Sequence, residues 1–101
     1  VLEIFDMTNN KITGTIPPTI GNLTKLLYLG LDANQLSGTV PATLGQCTDL
    51  VKFFIVGNAI RGSMPQEVCD LRGDNLLELV ADCNRDNLDC PYPECCTRCY
   101  P

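Results

Sequence analysis

Apolar positions return along this chain with a period of 24 residues. Leu26, Leu29 and Leu31 alternate with Tyr28, Gly30 and Asp32, and Asn34, Leu36, Gly38, Val40 and Pro41 follow at fixed steps. One period earlier the frame reads Leu2, Phe5, Met7, Asn10, Ile12, Gly14, Ile16 and Pro17. One period later it reads Leu50, Phe53, Ile55, Asn58, Ile60, Gly62, Met64 and Pro65. Three aligned copies at one spacing mark a repeat architecture, in which no unit buries its apolar side alone and neighbours must stack into one continuous core.

Each position in the frame has a structural reading. The alternation of Leu29 and Leu31 with Tyr28, Gly30 and Asp32 has the period of a strand, so the leucines face inward and the intervening residues face out. Leu2, Phe5 and Met7 take the inward positions of the first unit. Asn34 ends the strand, where its amide bonds backbone groups that leave the ladder, and stacked copies at Asn10, Asn34 and Asn58 predict a buried amide ladder. Gly38 permits a tight backbone passage, and Pro41 opens a return segment with φ already fixed. Ile20 and Leu23 are expected to pack inward from a short helical or 3-10 turn after Pro17 and Pro18.

The frame L-x-x-L-x-L-x-x-N-x-L-x-G-x-[IV]-P resembles the plant-type extracellular leucine-rich repeat, found in receptor-kinase ectodomains and polygalacturonase-inhibiting proteins. The resemblance covers residues 1–72 as three 24-residue repeats. It implies an α/β fold: a right-handed leucine-rich-repeat solenoid with parallel strands on the concave face, return segments on the convex face and a disulfide-tied C-terminal cap.

The frame resumes after a two-residue insertion. Leu76, Leu79, Ala81 and Asn84 stand in for Leu26, Leu29, Leu31 and Asn34, which predicts a degenerate fourth strand from about Leu76 to Cys83. Before it, Val68 and Leu71 lie at helical spacing, with Glu67 near the start and Arg72 near the end as the helix dipole prefers. Residues 85–101, with Pro91, Pro93 and Pro101, are expected to be irregular, so residues 73–101 form the fourth strand and the cap.

Seven cysteines in 101 residues change the picture. Cys47 takes the place that Leu23 holds one unit earlier and reads as a buried free thiol acting as a small hydrophobe. The cap holds the other six: Cys69, Cys83, Cys90, Cys95, Cys96 and Cys99. Six cysteines allow 15 connectivities; adjacent Cys95 and Cys96 are expected to reach different partners. Such density points to an oxidising compartment, secreted or on the extracellular face of a membrane. The run Leu79-Val80-Ala81-Asp82-Cys83 followed by Cys95-Cys96-Thr97-x-Cys99 resembles the C-terminal caps of extracellular leucine-rich-repeat proteins in diatom-type algae. Asn22-Leu23-Thr24 is an N-glycosylation sequon on the return segment, in keeping with a secretory route. A zinc site from Cys90, Cys95, Cys96 and Cys99 is disfavoured because its ligands do not fall into two separated pairs, and no metal or cofactor is expected. A redox role for Cys96-x-x-Cys99 lacks the strand–helix unit that lowers a thiol pKa.

Net charge −5 without a basic stripe argues against nucleic-acid binding. No apolar run is long enough to span a membrane as a helix. Val1 falls at a repeat boundary with no polar N-terminal cap, so these residues are expected to be the C-terminal part of a longer protein or a processed chain, or to have a partner over the first unit. The chain has no His, no GxSxG elbow and no phosphate loop, so no enzyme is expected. Asp6, Asp32 and Asp82 read as a solvated acidic face.

The functional expectation rests on the outward strand positions, which register aligns in columns. Ile4, Tyr28, Lys52 and Glu78 form the first, Asp6, Gly30, Phe54 and Val80 the second, and Thr8, Asp32, Val56 and Asp82 the third. Tyr28, Phe54, Val56 and Val80 then make an apolar patch ringed by Asp6, Asp32, Lys52, Glu78 and Asp82, as a recognition site would. The expected function is non-catalytic binding of a protein or peptide, or of a cell-wall glycan. The alternative is a structural subunit whose concave face is permanently covered. A second row, Thr13, Thr15, Ser37, Thr39, Arg61 and Ser63, flanks the glycines and is weighed as a weaker water- or polysaccharide-binding surface.

Overall fold

The computed structural model describes residues 3–83, 88–90 and 95–100. Val1, Leu2, Asn84, Pro91, Pro93 and Pro101 lie outside the described residues. The first unit holds β1 (Glu3–Asp6), β2 (Thr13–Thr15) and a 3-10 turn at Pro18–Asn22. The second repeats this plan with β3 (Leu26–Gly30), β4 (Gln35–Gly38) and a 3-10 turn at Ala42–Gln46. The third holds β5 (Lys52–Phe54), β6 (Ala59–Ile60), β7 (Gly62–Ser63) and α1 (Gln66–Cys69), which runs into a 3-10 turn at Asp70–Gly73. Then come β8 (Glu78–Asp82), β9 (Leu88–Asp89) and β10 (Arg98–Tyr100). Among the described residues the strands form a five-stranded sheet in the order β1-β3-β5-β8-β10, a three-stranded sheet β2-β4-β6, and the pair β7-β9, with parallel pairing throughout.

The core lies between the long sheet and the return segments. Leu26, Leu29 and Leu31, then Leu50, Phe53 and Ile55, then Leu76, Leu79 and Ala81 are buried in successive units, and Ile20, Leu44 and Val68 close over them. A fully buried side chain of this size contributes about 1.5–3 kcal/mol. Cys47 is fully buried with a free thiol, in the return-segment position its sequence spacing assigns. Burial pushes its pKa up, and Glu3 adds to the shift.

The asparagines of the frame join neighbouring units. Asn34 Nδ2 donates to Met7 O at 2.9 Å and Leu31 O at 3.0 Å, and its Oδ1 accepts from the Asn10 and Ile12 amides, each at 3.0 Å. Asn58 does the same one unit on, with Nδ2 on Leu31 O at 2.8 Å and Oδ1 on the Leu36 amide at 3.0 Å. As the spacing predicts, these amides bond backbone groups that leave the ladder, in their own and the preceding unit, because the turn there leaves N–H and C=O groups with no strand partner; Asn34 is buried and Asn58 half-buried. The expected burial is corrected at Asn10, whose side chain is exposed, with Nδ2 donating to Thr8 O at 3.0 Å.

Unit spacing is set by close backbone approach in the return segments. A Cβ on Gly45 would lie 2.7 Å from Glu67 Cβ and 2.8 Å from its carbonyl oxygen, and one on Gly21 would meet the Thr43 carbonyl. The equivalent third position is Cys69, whose sulfur bonds Cys95. A side chain is admitted there because the cap, rather than another return segment, lies alongside.

Three further expectations are corrected. Phe5 and Leu23 are 41% and 38% exposed rather than inward-packed, since β1 is an edge of the sheet and no described unit covers that side. The fourth strand starts at Glu78; Leu76 is buried before the strand begins, its amide on Leu71 O at 3.1 Å. The cap is not wholly irregular: β10 pairs with β8, matching Arg98 to Val80, Cys99 to Ala81 and Tyr100 to Asp82. The disulfides are Cys69–Cys95, Cys83–Cys99 and Cys90–Cys96, so Cys95 and Cys96 do reach different partners. Cys83–Cys99 links the last two strands of the sheet.

Candidate recognition face

Strand alternation puts the leucines in the core and leaves the other face of the long sheet open. Register there follows the 24-residue spacing up to β5, and the two-residue insertion makes the last step 26: Ile4 lies opposite Tyr28, Tyr28 opposite Lys52 and Lys52 opposite Glu78. Asp6 lies opposite Gly30, Gly30 opposite Phe54 and Phe54 opposite Val80. Neighbours in a column are thus about one strand spacing apart, roughly 4.8 Å.

Gly30 shapes the centre of this face. A Cβ there would lie 2.6 Å from Tyr28 Cε1, 3.1 Å from Tyr28 Oη and 2.9 Å from Asp6 Oδ1. The Tyr28 ring therefore lies across the glycine, with the Asp6 carboxylate beside it. From there it meets Phe54 edge to face, with centroids 5.6 Å apart and planes at 72°. Such a pair contributes about 0.5–1.5 kcal/mol beyond area burial. Tyr28, Phe54, Val56 and Val80 are all half-buried. They line a groove of about 550 Å³ together with Asp6, Thr8, Asp32, Glu78, Arg98 and Tyr100.

Lys52 and Asp82 do not line the groove. Lys52 Nζ lies 3.7 Å from Glu78 Oε1, both side chains about half exposed, so the pair is worth little in stability. Asp82 Oδ2 accepts from the Gly57 amide at 2.7 Å. Asp32 Oδ1 accepts from the Val56 amide at 2.7 Å. The loop after β5 is thus held by a carboxylate from each neighbouring unit, and the expectation of a freely solvated acidic face is corrected for these two residues. Asp6 Oδ1 accepts from the Thr8 amide at 3.1 Å and the Thr8 hydroxyl at 2.7 Å.

These contacts shift the ionisation of the face. The Thr8 hydroxyl and amide stabilise the Asp6 anion and lower its pKa. Burial raises the pKa of Asp32; its bond to Val56 opposes the rise, and Asp82 and Asp6 add to it. Burial likewise raises Tyr28, reinforced by Asp6, Asp32 and Glu78.

The sequence reading missed Arg98 and Tyr100. Their signal was the short alternation Thr97-Arg98-Cys99-Tyr100, in which Cys99 faces the cap interior and its neighbours face out. Thr97 anchors this segment: its hydroxyl donates to Leu79 O at 3.0 Å and accepts from the Leu79 amide at 2.9 Å. Arg98 Nη1 lies 3.3 Å from Tyr100 Oη.

The model of the Leucine Rich Repeat family matches residues 1–23. The match supports a leucine-rich repeat protein, and the matched residues are the unit whose geometry recurs through β3 and β5. No curated protein matches the chain. Leucine-rich repeats commonly mediate protein binding, which agrees with an open, aromatic sheet face.

The remaining candidate positions are placed as follows. Asn22 of the sequon is exposed at the end of its 3-10 turn. Cys83, Cys96 and Cys99 have sulfurs close enough to surround a metal ion, but all three are held in disulfides. Sulfur in a disulfide is not a thiolate ligand. In the Thr/Ser row, Thr15 lies opposite Ser37 and Ser37 opposite Ala59, a stagger of 22 residues rather than 24. Gly38 and Gly62 have φ of 77° and 82°, a region open to glycine, and added Cβ atoms would meet the Thr15 and Thr39 methyls at 2.8 and 3.0 Å. Those threonine methyls pack against the next unit. No helix among the described residues is long and apolar enough to cross a membrane.

Proposed function

We propose that this chain is a non-catalytic recognition module, a right-handed solenoid whose concave strand face binds a protein or peptide. The observation that carries the reading is the groove centred on the Tyr28–Phe54 pair, where half-buried aromatic and apolar side chains are ringed by fixed charges. Aromatic anchors in a charged rim are the usual form of a binding hot spot. The right hand follows from parallel strands joined by crossovers. Three disulfides and an exposed Asn22 sequon support a secreted or extracellular, glycosylated and receptor-like setting of the plant type. The test is a random dodecapeptide display library selected on the folded chain. Selected peptides should bind the Tyr28→Ala/Phe54→Ala variant about tenfold or more weakly. Unchanged affinity in a variant with native circular dichroism would refute the reading.

One observation favours a structural subunit as second reading. Beside β1 an apolar groove of about 340 Å³ is lined by Phe5, Ile12, Ile16, Ile20 and Leu23 among others. A permanent partner seated there should co-purify in fixed stoichiometry, and the stripped chain should aggregate.

A further inference from the structure

Resting on the recognition reading, we infer that the groove selects a basic side chain, an arginine or lysine of an extended peptide, seated over the Tyr28 ring between Asp6 and Asp32. Three observations lead there. The Tyr28 ring lies over Gly30 with Asp6 Oδ1 beside it, and Phe54 packs against the ring in a T-shaped pair, so an aromatic platform and a carboxylate share one spot. Cations bind aromatic faces, and bind better where a carboxylate accepts their N–H groups.

The second observation is how the carboxylates are held. Asp6 uses Oδ1 to accept from Thr8, and Asp32 uses Oδ1 to accept from Val56. Among the described residues Oδ2 of each has no hydrogen-bond partner. The two groups are therefore positioned before any ligand arrives and each keeps an acceptor oxygen, which lowers the ordering cost of binding.

The third is the distribution of charge. Glu78 is paired with Lys52, and Arg98 stands at the same end of the groove. Asp6 and Asp32, at the other end, have no ion-pair partner among the described residues. Burial is the main cause of the raised Tyr28 pKa, and Asp6 and Asp32 add to it, as neighbouring anions would. The groove is thus polarised across the strands, and the cation belongs at the β1–β3 end.

The test compares peptides selected by display on the wild-type chain. They should be enriched in Arg or Lys at one position, and replacing that residue with citrulline or norleucine should weaken binding about tenfold. Asp6→Asn/Asp32→Asn keeps the oxygen acceptors for Thr8 and Val56, so it should fold; it should bind the arginine and citrulline peptides alike. If no peptide is selected, or if selected peptides ignore the loss of Tyr28 and Phe54, the recognition reading itself fails. If peptides depend on Tyr28 and Phe54 but show no basic enrichment, or the double Asn variant still prefers arginine over citrulline, this inference alone is overturned.

Discussion

Replacing Gly45 with alanine tests whether backbone contact in the return segments sets the spacing of the units. The new Cβ would fall 2.7 Å from Glu67 Cβ, 2.8 Å from its carbonyl oxygen and 3.0 Å from its carbonyl carbon. Non-bonded carbons settle at about 3.5–4.0 Å, so the second and third units must part by several tenths of an ångström. The obstacle includes backbone, which a rotamer change does not move. Separation would loosen the packing around Leu44, Cys47 and Val68, all fully buried. Overpacking of this kind costs typically about 1–3 kcal/mol, and the upper part of the range applies to backbone against backbone. The lower chain entropy of alanine returns about 0.4–1 kcal/mol. The net loss is about 2 kcal/mol, or roughly 10 °C in Tm for a domain of this size. Urea unfolding of the oxidised protein measures it. Gly73→Ala is the control: nothing lies within 4 Å of its Cβ, so the change should be neutral or slightly stabilising. Equal stability of the two variants would refute the close-approach account.

Further outcomes are expected. Ala33 has φ of 57°, and Ala33→Gly should relieve about 1–2 kcal/mol of left-handed strain against about 0.4–1 kcal/mol of added chain entropy, a small net gain in chemical denaturation. Asp32→Asn keeps the acceptor for Val56 but does not titrate. Because folding raises the Asp32 pKa, the wild type should gain stability relative to the variant as pH falls from neutral through that raised value toward 3.8, with the difference levelling off below; a rising advantage at higher pH would contradict it. Removing Cys69–Cys95, which spans 26 residues, should cost about 3.5 kcal/mol on the loop-closure estimate, against about 2.2 kcal/mol for Cys90–Cys96, which spans six. Thermal unfolding of the paired Cys→Ser variants ranks the two.

The register of the long sheet was legible in the sequence because structural roles recur 24 residues later through β5, and 26 later at β8, where two residues are inserted. Once Leu29 and Phe53 are assigned inward, Tyr28, Gly30 and Phe54 have one face left, and the parallel stack brings them together. Cys47 was equally legible, since it takes a return-segment position that packing requires to be apolar. The individual unit carries that information, and stacking multiplies it.

Other features depended on what lies next to a residue in space. Thr97-Arg98-Cys99-Tyr100 has too little pattern to specify a strand; it becomes β10 because the β8 edge offers unpaired backbone groups and Cys83 ties Cys99 to it. Arg98 and Tyr100 join the groove only as a consequence. Asp32 and Asp82 read as surface charge because the Val56 and Gly57 amides that they hold lie 24 and 25 residues away. Phe5 obeys the inward frame and is still exposed, since burial needs a neighbour as well as an orientation. Periodicity thus determined orientation, register and core, which are properties of one repeating unit. The tertiary structure alone decided what meets across units, at the sheet edge and in the cap, because the chemistry there belongs to pairs of residues that no local pattern joins.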